Sequence, residues 1–90
     1  MQQVFHYYQD PSHGWVKVKK SILEELGISH EISKFSYMKG EYAYLEEDSD
    51  SRTFILAYEK INGKRPTFNE SHSNKSSKIC SYEDYAVEKV

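Results

Sequence analysis

An acidic run that follows two tyrosines is the part of the sequence best suited to binding. The run Glu46-Glu47-Asp48-Ser49-Asp50 comes shortly after the alternating rings of Tyr42 and Tyr44. Tyrosine rings supply contact energy at interfaces, and carboxylates steer a basic partner or occupy a site meant for nucleic-acid phosphates. We predict an acidic and aromatic protein-binding face; the alternative is a solvated hairpin end with a helix cap. The candidate residues are Tyr42, Tyr44, Glu46, Glu47, Asp48 and Asp50.

A second charged set, further along the chain, is basic and is interleaved with Tyr58 and Phe68. Lysines neutralise phosphates and aromatic rings stack on bases, so this set favours a nucleic-acid interface. Twelve Lys and Arg against fourteen acidic residues, with a pI near 6.1, are less basic than is usual for such domains. The set is therefore our alternative site. Its residues are Lys60, Lys64, Arg65, Lys75 and Lys78.

Metal-binding patterns in the sequence are weak. Asp48, Asp50 and Glu59 have the spacing of the ends of a calcium loop, but Thr53 stands where that loop needs Gly. The four histidines and Cys80 contain no pair with the close spacing of structural zinc sites. We therefore expect no metal site and no cofactor.

Length and composition limit the function classes. Ninety residues correspond to one domain, 1–90, and a 38% apolar content with a mean hydropathy of −0.80 implies a thin core. Thirteen aromatic residues, eight of them Tyr, compensate with large rings that carry polar tips. The chain contains no Gly-rich phosphate loop and no Gly-x-Ser-x-Gly motif, so we expect a protein that is not an enzyme.

The same residues favour a cytoplasmic protein. A single cysteine, Cys80, permits no internal disulfide, and the first residues lack the apolar stretch of a signal peptide. The apolar runs are far shorter than the roughly 20 residues of a membrane-spanning helix. We expect no membrane association, and a monomer or a homodimer.

Formal charge is segregated along the chain. Residues 41–59 hold six acids against one Arg, a net −5, while residues 60–78 hold five bases against one Glu, a net +4. A fold that keeps the two blocks apart presents one acidic and one basic surface.

The elements that must position these residues follow from periodicity and turn signals. Val4–Tyr8 and Trp15–Val18 read as strands separated by a turn-forming loop. Ser21 and Glu24 fit a capping box for a short helix that ends at Gly27, or that begins a turn earlier, at Lys19.

The hairpin within residues 35–47 is predicted to carry the tyrosines. A turn at Lys39-Gly40 sets Phe35 opposite Tyr44 and Tyr37 opposite Tyr42, with all four rings on one face. Ser36, Met38, Ala43 and Leu45 would form the other face.

A second helix is predicted after the hairpin. Residues 48–51 offer N-caps, Phe54, Ala57, Tyr58 and Ile61 recur at helical spacing, and Asn62-Gly63 ends the pattern. Thr67–Asn69 forms a short strand, residues 71–81 form a loop or flexible arm, and residues 79–85 form an edge strand or a helical turn.

Together these elements predict an α+β fold: a small antiparallel sheet of three to five strands packed against two short helices. The predicted core contains several Tyr and these residues: Val16, Val18, Leu23, Leu26, Ile28, Phe35, Leu45, Phe54 and Ile61.

Residues 15–28, from Trp15 through Lys-Lys-Ser-Ile-Leu-Glu-Glu-Leu-Gly to Ile28, resemble the strand, helix and Leu-Gly-Ile turn of AbrB-like swapped-hairpin regulators and antitoxins. That resemblance implies a DNA-binding homodimer, with Lys17, Lys19 and Lys20 joining the basic set. A small regulator of this kind is the alternative function.

A broader set of motifs is similar to small uncharacterised proteins of phages and other mobile elements. The resemblance implies an accessory protein that binds and occludes a host protein, for example as an anti-CRISPR-like inhibitor. A virion structural or assembly component is a further alternative. The motifs are Tyr8-x-Asp10-Pro11-x-His13-Gly14-Trp15, Phe35-Ser36-Tyr37, Tyr44-Leu45-Glu46-Glu47-Asp48-x-Asp50, Phe54, Lys75-Ser76-Ser77-Lys78-Ile79 and Ser81-Tyr82.

Overall fold

Six strands form one mixed sheet in the computed structural model, which describes residues 4–75 and 77–87. The strand order is β5-β1-β2-β4-β3-β6. The elements are β1 Val4–Gln9, β2 Gly14–Lys19, α1 Lys20–Glu25, β3 Tyr37–Lys39, β4 Tyr42–Glu46, α2 Asp50–Asn62, β5 Thr67–His72 and β6 Glu83–Asp84, with 3-10 turns at Ser29–Glu31 and Lys78–Ser81.

The predicted α+β class is confirmed, but the predicted sheet is too small and wholly antiparallel. The sheet has six strands, and β5 runs parallel to β1 along its whole length. One of the two helices is also long, because α2 has 13 residues and spans about 20 Å. α2 connects β4 to β5, which lies three places away in the sheet, next to β1 and parallel to it.

The hairpin turn lies one residue later than predicted, so the register differs by two residues. Tyr37 pairs with Tyr44 and Lys39 pairs with Tyr42, which leaves Gly40 and Glu41 as the turn. Gly40 has a positive φ of 59° and Glu41 does not, as in a type II′ turn with Gly first. Because the shift is an even number of residues, Tyr37, Tyr42 and Tyr44 still share one face.

Both helices end at the predicted glycines. Gly27 and Gly63 have φ values of 73° and 77°, and the amides of Gly27 and Ile28 close a Schellman motif on α1. The predicted capping box does not form, since α1 begins at Lys20, with Lys19 as its N-cap and no side-chain cap bond.

The helix-side face of the sheet carries the main core, which includes Val16, Leu45, Leu23, Phe54 and Tyr58. Two predicted core residues, Phe35 and Ile61, are instead more than 60% exposed. Phe35 lies in the turn before β3, and Ile61 lies in the last turn of α2, beyond the buried positions Ser51, Phe54 and Tyr58.

Two parts of the segment predicted as a loop or arm, residues 71–81, have regular structure. Ser71 and His72 complete β5, and Lys78–Ser81 form a 3-10 turn in which Ile79 is buried. Glu83–Asp84 then pair with β3 as the predicted edge strand. Within residues 4–75 and 77–87, neither helix has the length and apolar content needed to cross a bilayer.

Candidate functional site

The helix-free face of the sheet is unusually aromatic. Trp15, Tyr44 and Ile79 form a second buried cluster there, and Tyr8, Tyr37, Tyr42 and Tyr82 pack around it. The 3-10 turn at Lys78–Ser81 supplies Ile79, so this turn covers the middle of the face. Two ends of the face remain accessible, and they differ in charge.

One end is acidic and is called the acidic patch: Phe35, Tyr37, Glu46 and Asp48. These residues line a concavity of about 430 Å³, together with His13, Trp15 and Cys80. Phe35 is 69% exposed, and the Trp15 and Tyr37 rings meet edge to face with centroids 6.3 Å apart. The acidic patch therefore places an exposed apolar ring beside two carboxylate side chains.

A buried carboxylate positions Phe35. Asp50, the first residue of α2, accepts hydrogen bonds from the Ser33 amide (3.1 Å) and from the hydroxyls of Ser33 (2.6 Å) and Ser36 (2.5 Å). The Ser36 hydroxyl also accepts a bond from the Glu46 amide (2.9 Å). Asp50 therefore fixes both the turn that exposes Phe35 and the end of β4.

The turn after β4 arranges the acidic side chains. Glu46 accepts bonds from the Asp48 amide (2.5 Å) and the Ser49 hydroxyl (3.2 Å), so its carboxylate closes this turn. Asp48 is exposed, which leaves its carboxylate facing solvent.

Glu47 points to the opposite side of the sheet. It accepts a 2.5 Å bond from the Tyr7 hydroxyl, and burial together with this bond raises the pKa of Tyr7 well above its usual value. Gly14 makes room for the pair, because a Cβ there would overlap the Tyr7 hydroxyl and lie 2.7 Å from Glu47 Oε2.

Of the six predicted site residues, only Glu46 and Asp48 lie in the acidic patch. Tyr44 is buried, and that burial, with Tyr82 and Tyr8 beside it, raises the pKa of Tyr44 to about 12. Asp50 is also buried and acts through Ser33 and Ser36. Tyr42 lies at the other end of the face.

That other end, the lysine patch, consists of His6, Lys17, Lys19 and Tyr42. The Lys17 ammonium lies 4.2 Å from the centroid of the Tyr42 ring. The four residues line a groove that also includes Val4 and Ile22. This end offers cations and rings side by side, which suits an anionic ligand.

The predicted basic set is divided. Lys60, Lys64 and Arg65 precede β5, whereas Lys75 and Lys78 follow it. A six-residue strand spans about 17 Å, so the two groups are too far apart to contact one small ligand together.

Two parts of the candidate site escaped the sequence analysis. Phe35 was assigned to the core, although its flanking Ser33 and Ser36 are turn formers that indicate an exposed position. His13 and Cys80 line the same concavity, but they lie far apart in the sequence, so no spacing pattern predicts that they meet.

Comparison with known proteins identifies no relative of this chain: no family model, no curated protein and no solved structure matches it.

Proposed function

We propose that the protein is a non-enzymatic binding protein that holds a basic segment of another protein against the acidic patch. The observation that carries the proposal is Phe35, an apolar ring held 69% exposed by a turn that a buried carboxylate fixes. Aromatic anchors of this kind contribute disproportionately to binding energy at interfaces.

The chemistry of the acidic patch favours arginine on the partner. A guanidinium stacks on a ring such as Phe35 or Tyr37 and bonds to a carboxylate such as Asp48 with the same side chain. Carboxylates at this end of the face also attract a basic partner over a distance of about 8–10 Å at physiological salt.

The resemblance to small proteins of phages and other mobile elements supports a host protein as that partner. Occupying a basic surface of the host protein would block whatever that surface binds. An anti-CRISPR-like inhibitor, which occupies a site meant for nucleic-acid phosphates, is one concrete form of this function.

Paired variants in a capture experiment test the proposal. The tagged protein is incubated with nuclease-treated host lysate, and each retained protein is quantified for the native chain, Phe35→Ser and Leu56→Ser. Leu56 is the matched control, since it is 57% exposed but lies on α2. We expect one partner that Leu56→Ser retains and that Phe35→Ser reduces by about tenfold or more.

Asp48→Lys should reduce the amount of the same partner that is retained and make that amount less dependent on salt. Glu59→Lys on α2 should do neither. A partner retained equally by Phe35→Ser and Leu56→Ser, or no stoichiometric partner, would refute the proposal.

The lysine patch supports a second candidate, a small DNA-binding regulator that acts as a homodimer. The supporting observation is the arrangement of Lys17 and Lys19 beside Tyr42 and His6 on one sheet face. It predicts that a labelled oligonucleotide binds with an affinity that falls steeply with salt, and that Lys17→Ala weakens binding while Lys60→Ala does not. A strict monomer that does not bind DNA would exclude it.

A further inference from the structure

Three metal-ligating side chains from distant parts of the chain meet beside the acidic patch. Asp10 and His13 belong to the loop between β1 and β2, and Cys80 belongs to the 3-10 turn that covers the helix-free face. One ligand atom from each lies within 4.8 Å of the other two, and His13 Nδ1 is 3.9 Å from Asp10 Oδ1. We propose that Asp10, His13 and Cys80 bind a zinc ion.

The distances are close to those that zinc requires. Zinc lies about 2.0–2.3 Å from its nitrogen, oxygen and sulfur ligands, so ligands at tetrahedral corners are roughly 3.3–3.8 Å apart. Ligand atoms that lie within 4.8 Å of one another must therefore close by up to about 1 Å. The side chains that must move are accessible, since His13 is 60% exposed and Cys80 is exposed.

Asp10 is the fixed member of the set. Asp10 is buried, and its carboxylate accepts bonds from the amides of Ser12 (2.9 Å), His13 (2.7 Å) and Ser77 (2.9 Å). Oδ1, the oxygen nearer His13 Nδ1, accepts two of these bonds, whereas Oδ2 accepts one, so Oδ2 is the oxygen with a lone pair left for a metal. Backbone amides hold the oxygen in place, as outer-shell groups do for metal ligands in general.

The charges also match a divalent cation. Ionised Asp10, neutral His13 and the Cys80 thiolate carry a total of −2, which zinc neutralises. Within the described residues, the ion pair found for the buried Asp10 carboxylate is the one with His13, which is charged only when protonated. Glu46 and Asp48 line the same concavity as His13 and Cys80, and their carboxylates favour a cation there.

Zinc binding releases one proton. The Cys80 thiol gives its proton to solvent as the sulfur–metal bond forms, His13 binds in its neutral form, and no electron is transferred. Three protein ligands leave a fourth position to water, because the site lies at the surface. The ion would join the loop after β1 to the turn at Lys78–Ser81.

Cobalt titration tests the site through its sulfur. The reduced full-length protein is titrated with Co²⁺, and zinc is then added to displace it. Cys80 is the sole cysteine of the chain, so a thiolate-to-cobalt charge-transfer band reports on this residue alone. We expect one ion per chain and displacement of the band by zinc.

Variants decide whether these three residues form the site. Cys80→Ser should abolish the band, and His13→Ala should weaken zinc binding by about tenfold or more. His72→Ala is the matched control, because His72 is similarly exposed and lies 3.6 Å from Glu70. Circular dichroism without metal confirms that each variant folds.

Three results would overturn the proposal: no thiolate band, zinc affinity unchanged by Cys80→Ser and His13→Ala, or an equal loss in His72→Ala. The capture experiment tests the proposed protein-binding function separately, because Phe35→Ser and Asp48→Lys leave Asp10, His13 and Cys80 unchanged.

Discussion

Two buried aspartates hold loops in this protein, and they do so with different donors. Asp50 is enclosed by the hydroxyls of Ser33 and Ser36 and by one amide, and it fixes the turn that exposes Phe35. Asp10 is held by three amides, with His13 and Cys80 beside it.

The difference separates a structural carboxylate from one that is available for chemistry. The hydroxyls of Ser33 and Ser36 donate their protons to Asp50, and the Ser36 hydroxyl also accepts a bond from the Glu46 amide. These bonds satisfy the Asp50 network without a further ligand. Amides leave the side-chain surroundings of Asp10 to an imidazole, which binds a metal through the lone pair of its neutral form, and to a thiol, which binds a metal by losing its proton. The amides, Ser77 first, also lower the pKa of Asp10, so it is ionised at neutral pH.

Of changes at the two aspartates, Asp50→Ala should have the larger effect on stability. Its removal leaves the buried hydroxyl of Ser36 and the part-buried amide and hydroxyl of Ser33 without an acceptor, at a cost of about 2–4 kcal/mol in the free energy of unfolding. Urea denaturation at pH 7 measures the change. Asp48→Ala, which removes an exposed carboxylate two residues earlier, should change stability by less than about 0.5 kcal/mol. Equal midpoints for the two variants would contradict the assigned role of Asp50.

Asp10→Asn should have a smaller and more local effect. Asparagine keeps one acceptor oxygen, which the amides of Ser12 and His13 occupy, so its amide nitrogen faces the Ser77 amide and loosens the turn at Lys78–Ser81, whose Ile79 is buried with Trp15. Trp15 is the sole tryptophan and is 2% exposed, so its fluorescence emission should shift to the red. The control Asp84→Asn, in the exposed edge strand β6, should leave the emission unchanged. An unshifted emission in Asp10→Asn would show that Asp10 does not hold this turn.

Tyr44 extends the same comparison to high pH. Its pKa of about 12 lies above the ordinary value of 10.0, so its contribution to stability is complete below pH 10 and is lost as pH rises through 12. Asp10→Asn should lower this pKa towards 10, because the turn that covers the helix-free face no longer excludes water. Absorbance titration of tyrosinate, with Tyr44→Phe to assign the step, measures the shift. If Tyr44 titrates at the same high pH in Asp10→Asn, its pKa does not depend on the turn that Asp10 holds.

Local sequence patterns predicted what depends on neighbouring residues. The end of α2 at Gly63 follows from a positive φ that favours Gly, and the shared face of Tyr37, Tyr42 and Tyr44 follows from strand alternation. Neither feature requires contacts from distant parts of the chain.

Contacts between distant residues explain what the sequence analysis missed. The parallel pairing of β5 with β1 orders polar residues such as Asn69 and Glu70, which have little strand propensity of their own. Asp10 meets Ser77 across 67 residues, and no spacing rule connects them. Phe35 was misplaced because its exposure depends on Asp50, which lies 15 positions later on another element.

Phe35→Ser should have a smaller effect on stability than Asp50→Ala, and this difference tests the role of Asp50 in holding the turn. Asp50 holds Ser33 and Ser36 so that the Phe35 ring between them lies outside the core. Loss of that ring should therefore change the free energy of unfolding by less than about 0.5 kcal/mol. Phe54→Ala, at a fully buried ring, should cost about 3–5 kcal/mol in the same assay. A large loss in Phe35→Ser would mean that the ring is buried in solution, and the acidic patch would then lose its apolar anchor. A negligible loss would leave binding as the property that Phe35 affects, which the capture experiment measures directly.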